Sequence, residues 1–121
     1  HRRWREFPIP NRFLGITTEL AHTYDSIPLA SQCAMRWLAH HNRMKELRSI
    51  LGNDLIVIPY ESFANDTETQ IHELQQFVGL KIPIPIPDVK TGSLHKWKEQ
   101  LSDEQINQIE SIVGFSPCNI V

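Results

Sequence analysis

The run Lys90-Thr91-Gly92-Ser93-Leu94-His95-Lys96-Trp97-Lys98 has the clearest chemical capacity, with three lysines, two hydroxyls and one glycine in nine positions. Glycine lets a backbone approach a ligand closely, N–H groups and hydroxyls bond phosphate oxygens, and ammonium groups neutralise their charge. Trp97 can stack on a base or anchor the loop. The same residues also suit a solvated loop pinned by one tryptophan, so the run alone does not choose. A second suggestive pair, Tyr60-Glu61, follows the apolar run Leu55-Ile56-Val57-Ile58 and Pro59. In α/β sheets ligands gather beyond the carboxyl ends of strands, which is where this pair would stand. A half-buried tyrosine and a glutamate capping the next turn are the structural counterparts.

Other combinations carry less. His40 and His41 are adjacent on a helical pattern and point about 100° apart, so they cannot share an ion as an i, i+4 pair does. His22, Asp25 and Ser26 have the residue types of a hydrolase triad but lie on no nucleophile elbow. Cys33 and Cys118 lack both disulfide-scaffold density and zinc spacing, which predicts a buried thiol in a reducing compartment.

The elements that must position these groups follow from periodicity. Residues 1–28 show none: a basic, aromatic start (Arg2, Arg3, Trp4, Arg5) precedes Pro8, Pro10, Gly15 and Pro28, which reads as a long irregular surface segment. From Leu29 to Leu51, Leu29, Cys33, Trp37, Met44, Leu47 and Leu51 recur at helical steps. Ser26 is placed to cap this helix, Pro28 to sit in its first turn and Gly52 to end it. Leu55–Ile58 is apolar on both faces, as a buried parallel strand is, and Pro59 should end it. Asn65 and Glu68 resemble a capping box for a helix with Ile71, Leu74, Phe77 and Val78 inward and Gly79 at its end. Ile82-Pro83-Ile84-Pro85-Ile86-Pro87 predicts a stiff extended strap, because each proline fixes its own φ and biases its predecessor. Ser102-x-x-Gln105 opens a last helix with Ile106, Ile109, Ile112 and Val113 inward and Gly114 as its stop.

Composition bounds the classes. With 121 residues, 40% apolar and 21% charged, the chain suits one compact domain and is not disordered in composition. No apolar run approaches the roughly 20 residues that cross a bilayer, and a formal charge of −2 offers no global basic field for nucleic acid. The chain begins at His1 with no secretory pattern, which points to a processed product or a piece of a longer chain. One strand cannot complete a sheet from within.

The order of these motifs resembles the C-terminal portion of sulfotransferases that use 3′-phosphoadenosine-5′-phosphosulfate (PAPS). In that family a strand ends in Tyr-Glu, as Leu55–Glu61 does. A helix closing on Phe, an aliphatic residue and Gly follows, like Phe77-Val78-Gly79, and a loop with Gly and Trp-Lys precedes the final helix. Lys90–Lys98 aligns without gaps on the Arg-Lys-Gly-x-x-Gly-Asp-Trp-Lys pattern of the cytosolic members; Thr91, His95 and Lys96 depart from it. Ser93-x-x-Lys96-Trp97 is similar to the protein-tyrosine sulfotransferase branch. The resemblance covers residues 29–114.

The resemblance implies an α/β fold: the C-terminal part of a P-loop-like three-layer sandwich, in the order helix, strand, helix, extended strap, loop, helix. It implies that Tyr60 contacts adenosine, that Lys90, Thr91, Gly92 and Ser93 bind the 3′-phosphate, and that Lys96 assists by charge. The family's phosphosulfate loop and catalytic base have no counterpart here, so no catalytic residue is assigned. Arg2, Arg3 and Arg5 also stay unassigned. The expected function is sulfuryl transfer from PAPS to a hydroxyl or amine of a small-molecule, glycan or protein acceptor, with residues 1–121 forming a partial domain inactive alone. Residues 13–31 would contribute to the acceptor wall. The alternative is a non-catalytic helical interaction module. Family members are cytosolic or luminal, and the cysteine usage leans to the cytosol.

Overall fold

The structure, a computed structural model, describes residues 3–114. By packing the chain forms two units: the described residues of His1–Ile50 with Leu101–Val121, and Leu51–Gln100.

In the first unit the segment read as irregular surface holds the best-buried side chains. Trp4, Leu14, Ile16 and Tyr24 form a cluster, with Ile9, Ala21, Ile27 and Met35 packed against it. The Trp4 and Tyr24 rings meet edge to face at 5.2 Å. Such pairs prefer this geometry because the positive edge of one ring faces the negative face of the other. The Trp4 indole N–H donates to Asp25 Oδ1 at 2.6 Å, and Asp25 also pairs with Arg5, whose guanidinium lies 5.1 Å from the Trp4 ring centre. Periodicity is absent because the order comes from short turns: 3₁₀ turns at Trp4–Glu6, Leu20–His22 and Tyr24–Ser26, and a bridge between Asn11 and Ile16. That bridge is closed by two backbone hydrogen bonds of 2.7 and 3.0 Å, and Asn11 Oδ1 accepts from the Leu14 N–H at 2.9 Å.

Helix α1, Leu29–Leu51, has the predicted bounds but not the predicted face. Ser31 and Ala34 are buried, whereas Leu29, Cys33, Ile50 and Leu51 are exposed and Trp37 is 42% exposed. The large apolar residues lose the inner face because the loop lies directly on the helix backbone. A Cβ on Gly15 would sit 2.6 Å from the Met35 carbonyl oxygen and 3.4 Å from Ala39 Cβ, and Gly15 has φ +72°. Only a glycine meets both demands. Cys33 is thus exposed, not buried, and Cys118 lies outside the described residues. Ser26 does not cap α1; its hydroxyl donates to the Thr23 carbonyl at 2.7 Å. Instead the Gln32 side-chain amide donates to the Tyr24 and Ile27 carbonyls at 3.0 and 2.9 Å, while the Pro28 carbonyl accepts the first helical bond from the Gln32 N–H.

The second unit corrects the fold class. Leu55 is extended (φ −129°, ψ 118°), as is Pro59, but among the described residues Leu55–Ile58 forms no strand, and the fold is helical rather than a three-layer α/β sandwich. A strand exists only by virtue of a ladder partner. The Ile-Pro run of this unit, Ile82–Pro87, lacks an N–H at alternate positions and cannot supply one. The elements are α2 (Tyr60–Asn65), α3 (Thr67–Val78) and α4 (Trp97–Gln100), with α5 (Asp103–Val113) belonging to the first unit. Asp66, one residue beyond the predicted cap, caps α3 by accepting from the Thr69 N–H at 3.3 Å, while Asn65 ends α2. Ala64 and Ile71 are buried, whereas Phe77 and Val78, predicted inward, are exposed. Gly79 ends α3 at φ +69°, with the Leu80 N–H reaching back to the Gln75 carbonyl. Gln75 accepts at its side-chain oxygen from the Ile84 N–H at 3.3 Å, which ties the strap to α3. The capping box of Ser102 and Gln105 on α5 forms as predicted. No helix among the described residues is long and apolar enough to cross a membrane.

Two outcomes follow, one comparing a glycine of each unit and one for Tyr24. Gly15→Ala should destabilise by about 2 kcal/mol or more, from positive φ plus overpacking. Gly92→Ala, where an added Cβ meets nothing within 4 Å, should leave the urea midpoint unchanged. The buried Tyr24 hydroxyl is pushed up by desolvation, with Cys33 and Asp25 acting in the same direction and Arg36 opposing. The neutral phenol is favoured in the fold, so its contribution to stability is full below about pH 10 and is lost as pH rises beyond that. Urea midpoints measured across this range should fall less steeply for Tyr24→Phe, which keeps the ring contact with Trp4.

Candidate functional site

The Lys90–Lys98 run consists of two consecutive turns. Lys90 is extended and leads into a 3₁₀ turn, Thr91–Ser93, closed by the Leu94 N–H donating to the Thr91 carbonyl at 3.0 Å. The chain then enters α4, where the Lys96 carbonyl accepts from the N–H groups of Glu99 and Gln100 at 3.1 and 3.0 Å. Lys90, Thr91, Gly92 and Ser93 thus share the first turn, and Lys96 stands at the entry to the second. Lys90, Thr91, Gly92 and Lys96 are exposed; the Ser93 side chain lies outside what is described. The first N–H groups of a 3₁₀ turn have no partner within it, and Gly92 offers an open backbone face. Trp97 is half-buried, with Lys98 Nζ 5.6 Å from its ring centre, so it anchors the turn rather than standing free as a stacking platform. Three ammonium groups against the flanking Asp88 and Glu99 leave the run cationic. Ammonium groups, a hydroxyl and unshielded amides form a donor set that fits a phosphate.

Tyr60 belongs to the same unit and opens α2, 55% exposed. It does not end a strand as expected, because Leu55–Ile58 has no ladder. Glu61, in the first turn of α2, suits the positive helix start.

The remaining sequence candidates have structural roles. Asp25 takes the Trp4 indole and Arg5, and Ser26 bonds backbone, so neither joins His22 in a triad. His41 stacks on Trp37 at 4.9 Å and His40 meets Phe13 edge to face at 4.7 Å. Among the described residues no three His, Cys, Asp or Glu side chains come together as a metal site would require. Arg3 pairs with Glu6 at 2.7 Å and Arg5 with Asp25, whereas Arg2 lies outside the described residues.

The sequence reading missed a cleft in the first unit. It measures about 660 Å³ and lies between the loop from Pro10 to Thr17 and the part of α1 from Ala39 to Glu46. Phe13 stands at its edge with the Arg36 guanidinium 4.4 Å from its ring centre. The available signal was Asn11-Arg12-Phe13-Leu14-Gly15, a turn-forming asparagine and a glycine around a basic and an aromatic residue.

No family model, curated protein or solved structure matches this chain, so its function has to be argued from its own residues.

Proposed function

We propose that this chain takes part in sulfuryl transfer from PAPS and holds the adenosine and 3′-phosphate end of that nucleotide. The observation that carries the reading is the exposed cationic turn Lys90–Lys96 with the open backbone face of Gly92, in one unit with the exposed Tyr60. The order of motifs along the sequence adds to it. In this reading Lys90 and Lys96 neutralise the phosphate, Thr91, Gly92 and Ser93 donate to its oxygens, and the Tyr60 ring meets the adenosine. PAPS, when bound, supplies the activated sulfuryl group that passes to an acceptor hydroxyl or amine.

A second reading, a non-catalytic helical interaction module, draws on the helical architecture and on the apolar side chains that the second unit leaves exposed, among them Val57, Phe77, Leu80 and Ile82. Adenosine 3′,5′-bisphosphate separates the two. At ten times its Kd it should raise Tm by about 4 °C or more, and AMP, which lacks the 3′-phosphate, should do less. Lys90→Ala and Gly92→Asp should cut the shift at fixed ligand by half or more, since one removes a charge-assisted donor and the other brings a carboxylate to the phosphate. Absence of any shift up to millimolar ligand overturns the nucleotide reading in favour of the module. The isolated chain should not turn over labelled PAPS, because none of its residues is assigned the role of base.

A further inference from the structure

We propose that the cleft between the Pro10–Thr17 loop and α1 is a binding site for a small organic monoanion, an apolar body carrying one carboxylate or sulfonate-type head. The site belongs to the first unit and is independent of the nucleotide reading, which concerns the second.

Size comes first. A volume of about 660 Å³ falls within the range of small-molecule sites. The walls are fixed before any ligand arrives. The loop is closed on itself by the Asn11–Ile16 bridge and the Asn11 side chain, and it is pressed onto α1 at Gly15. Phe13 spans one turn of that helix, with Arg36 over its face and His40 at its edge. A site whose backbone and aromatic wall are already held loses little entropy on binding.

The lining then sets the ligand class. The surface is chiefly apolar, from Ala39 and the Phe13 ring, which remains 56% exposed despite its contacts, whereas Ile16 is itself buried. This calls for an apolar body larger than its polar head. The charges at the rim are Arg12, Arg43 and Glu46, with Arg36 behind Phe13. Arg43 and Glu46 neutralise each other at 2.8 Å. Arg12 is exposed and has no carboxylate partner among the described residues. Arg36 is engaged with the Phe13 ring, so Arg12 is the rim guanidinium with neither a carboxylate nor an aromatic partner among the described residues, and its planar fork suits a singly charged oxyanion head. The Asn42 amide and the His40 ring add further polar groups to the lining.

The test uses 2-naphthalenesulfonate, with 2-naphthol as its uncharged counterpart, titrated into the ¹⁵N-labelled 121-residue chain. The sulfonate should produce saturable shift changes centred on Asn11–Thr17 and Ala39–Arg43, with Kd of about 1 mM or tighter. 2-Naphthol should bind at least about fivefold more weakly, and Arg12→Gln should weaken the sulfonate by a similar factor without changing the affinity for 2-naphthol. Arg12 is a surface residue, so that variant keeps the fold, and the unperturbed spectrum of the free variant verifies it. The proposal is overturned by absence of saturable shifts at these residues, by equal binding of the two probes, or by an Arg12→Gln chain that holds the sulfonate as tightly as the parent.

Discussion

The close approach of Gly15 to the backbone of α1 governs the first unit. With no Cβ at that point, the loop backbone can lie against the helix backbone at Met35, and the small Ala39 makes the helix side of the contact able to receive it. The described residues N-terminal to α1 are fastened in part by polar bonds around a thin, aromatic cluster. Asp25 accepts from the Trp4 indole, and Gln32 donates to two carbonyls of the incoming chain. Each group satisfied in this way would cost about 1–3 kcal/mol if buried without a partner. The helix start and the loop are therefore mutually dependent.

The second unit is governed by backbone donors. Leu55–Ile58 is apolar and flanked by extended backbone at Leu55 and Pro59, but the other apolar run of this unit, Ile82–Pro87, has prolines at every second residue. The unit is instead held by helix ends: Asp66 at the start of α3, Gly79 at its finish, and Gln75 reaching to the strap. The candidate phosphate-binding turn emerges where this scaffold gives way to two short turns anchored by Trp97, so its lysines stand in solvent while the chain beneath them is fixed.

Local signals were legible in the sequence; packing partners were not. The bounds of α1, the Ser102–Gln105 capping box and the Gly79 terminus follow from chemistry within one helical turn, and the structure keeps them. The inner face of α1 differs from the expected one because Leu29, Cys33 and Trp37 outrank Ser31 and Ala34 by hydrophobicity, while it is the small Ser31 and Ala34 that are buried. Leu55–Ile58 reads as a strand by composition, but pairing is non-local and no residue within it shows whether a partner exists. The turn of Lys90–Lys96 was visible because its chemistry is contiguous. The cleft by Arg12 was not, because its second wall comes from residues more than twenty positions later.

The Ile-Pro strap has a consequence for solution behaviour. Ile82 is 79% exposed and Ile86 56% exposed, a density of β-branched apolar surface that would ordinarily recruit other chains by edge-to-edge pairing. Proline removes the N–H at 83, 85 and 87, and the Ile84 N–H is already given to Gln75. Such a segment shows isoleucine to solvent yet has almost nothing with which to template a cross-β ladder. The prolines that deny the unit a sheet of its own thus also act as gatekeepers against aggregation.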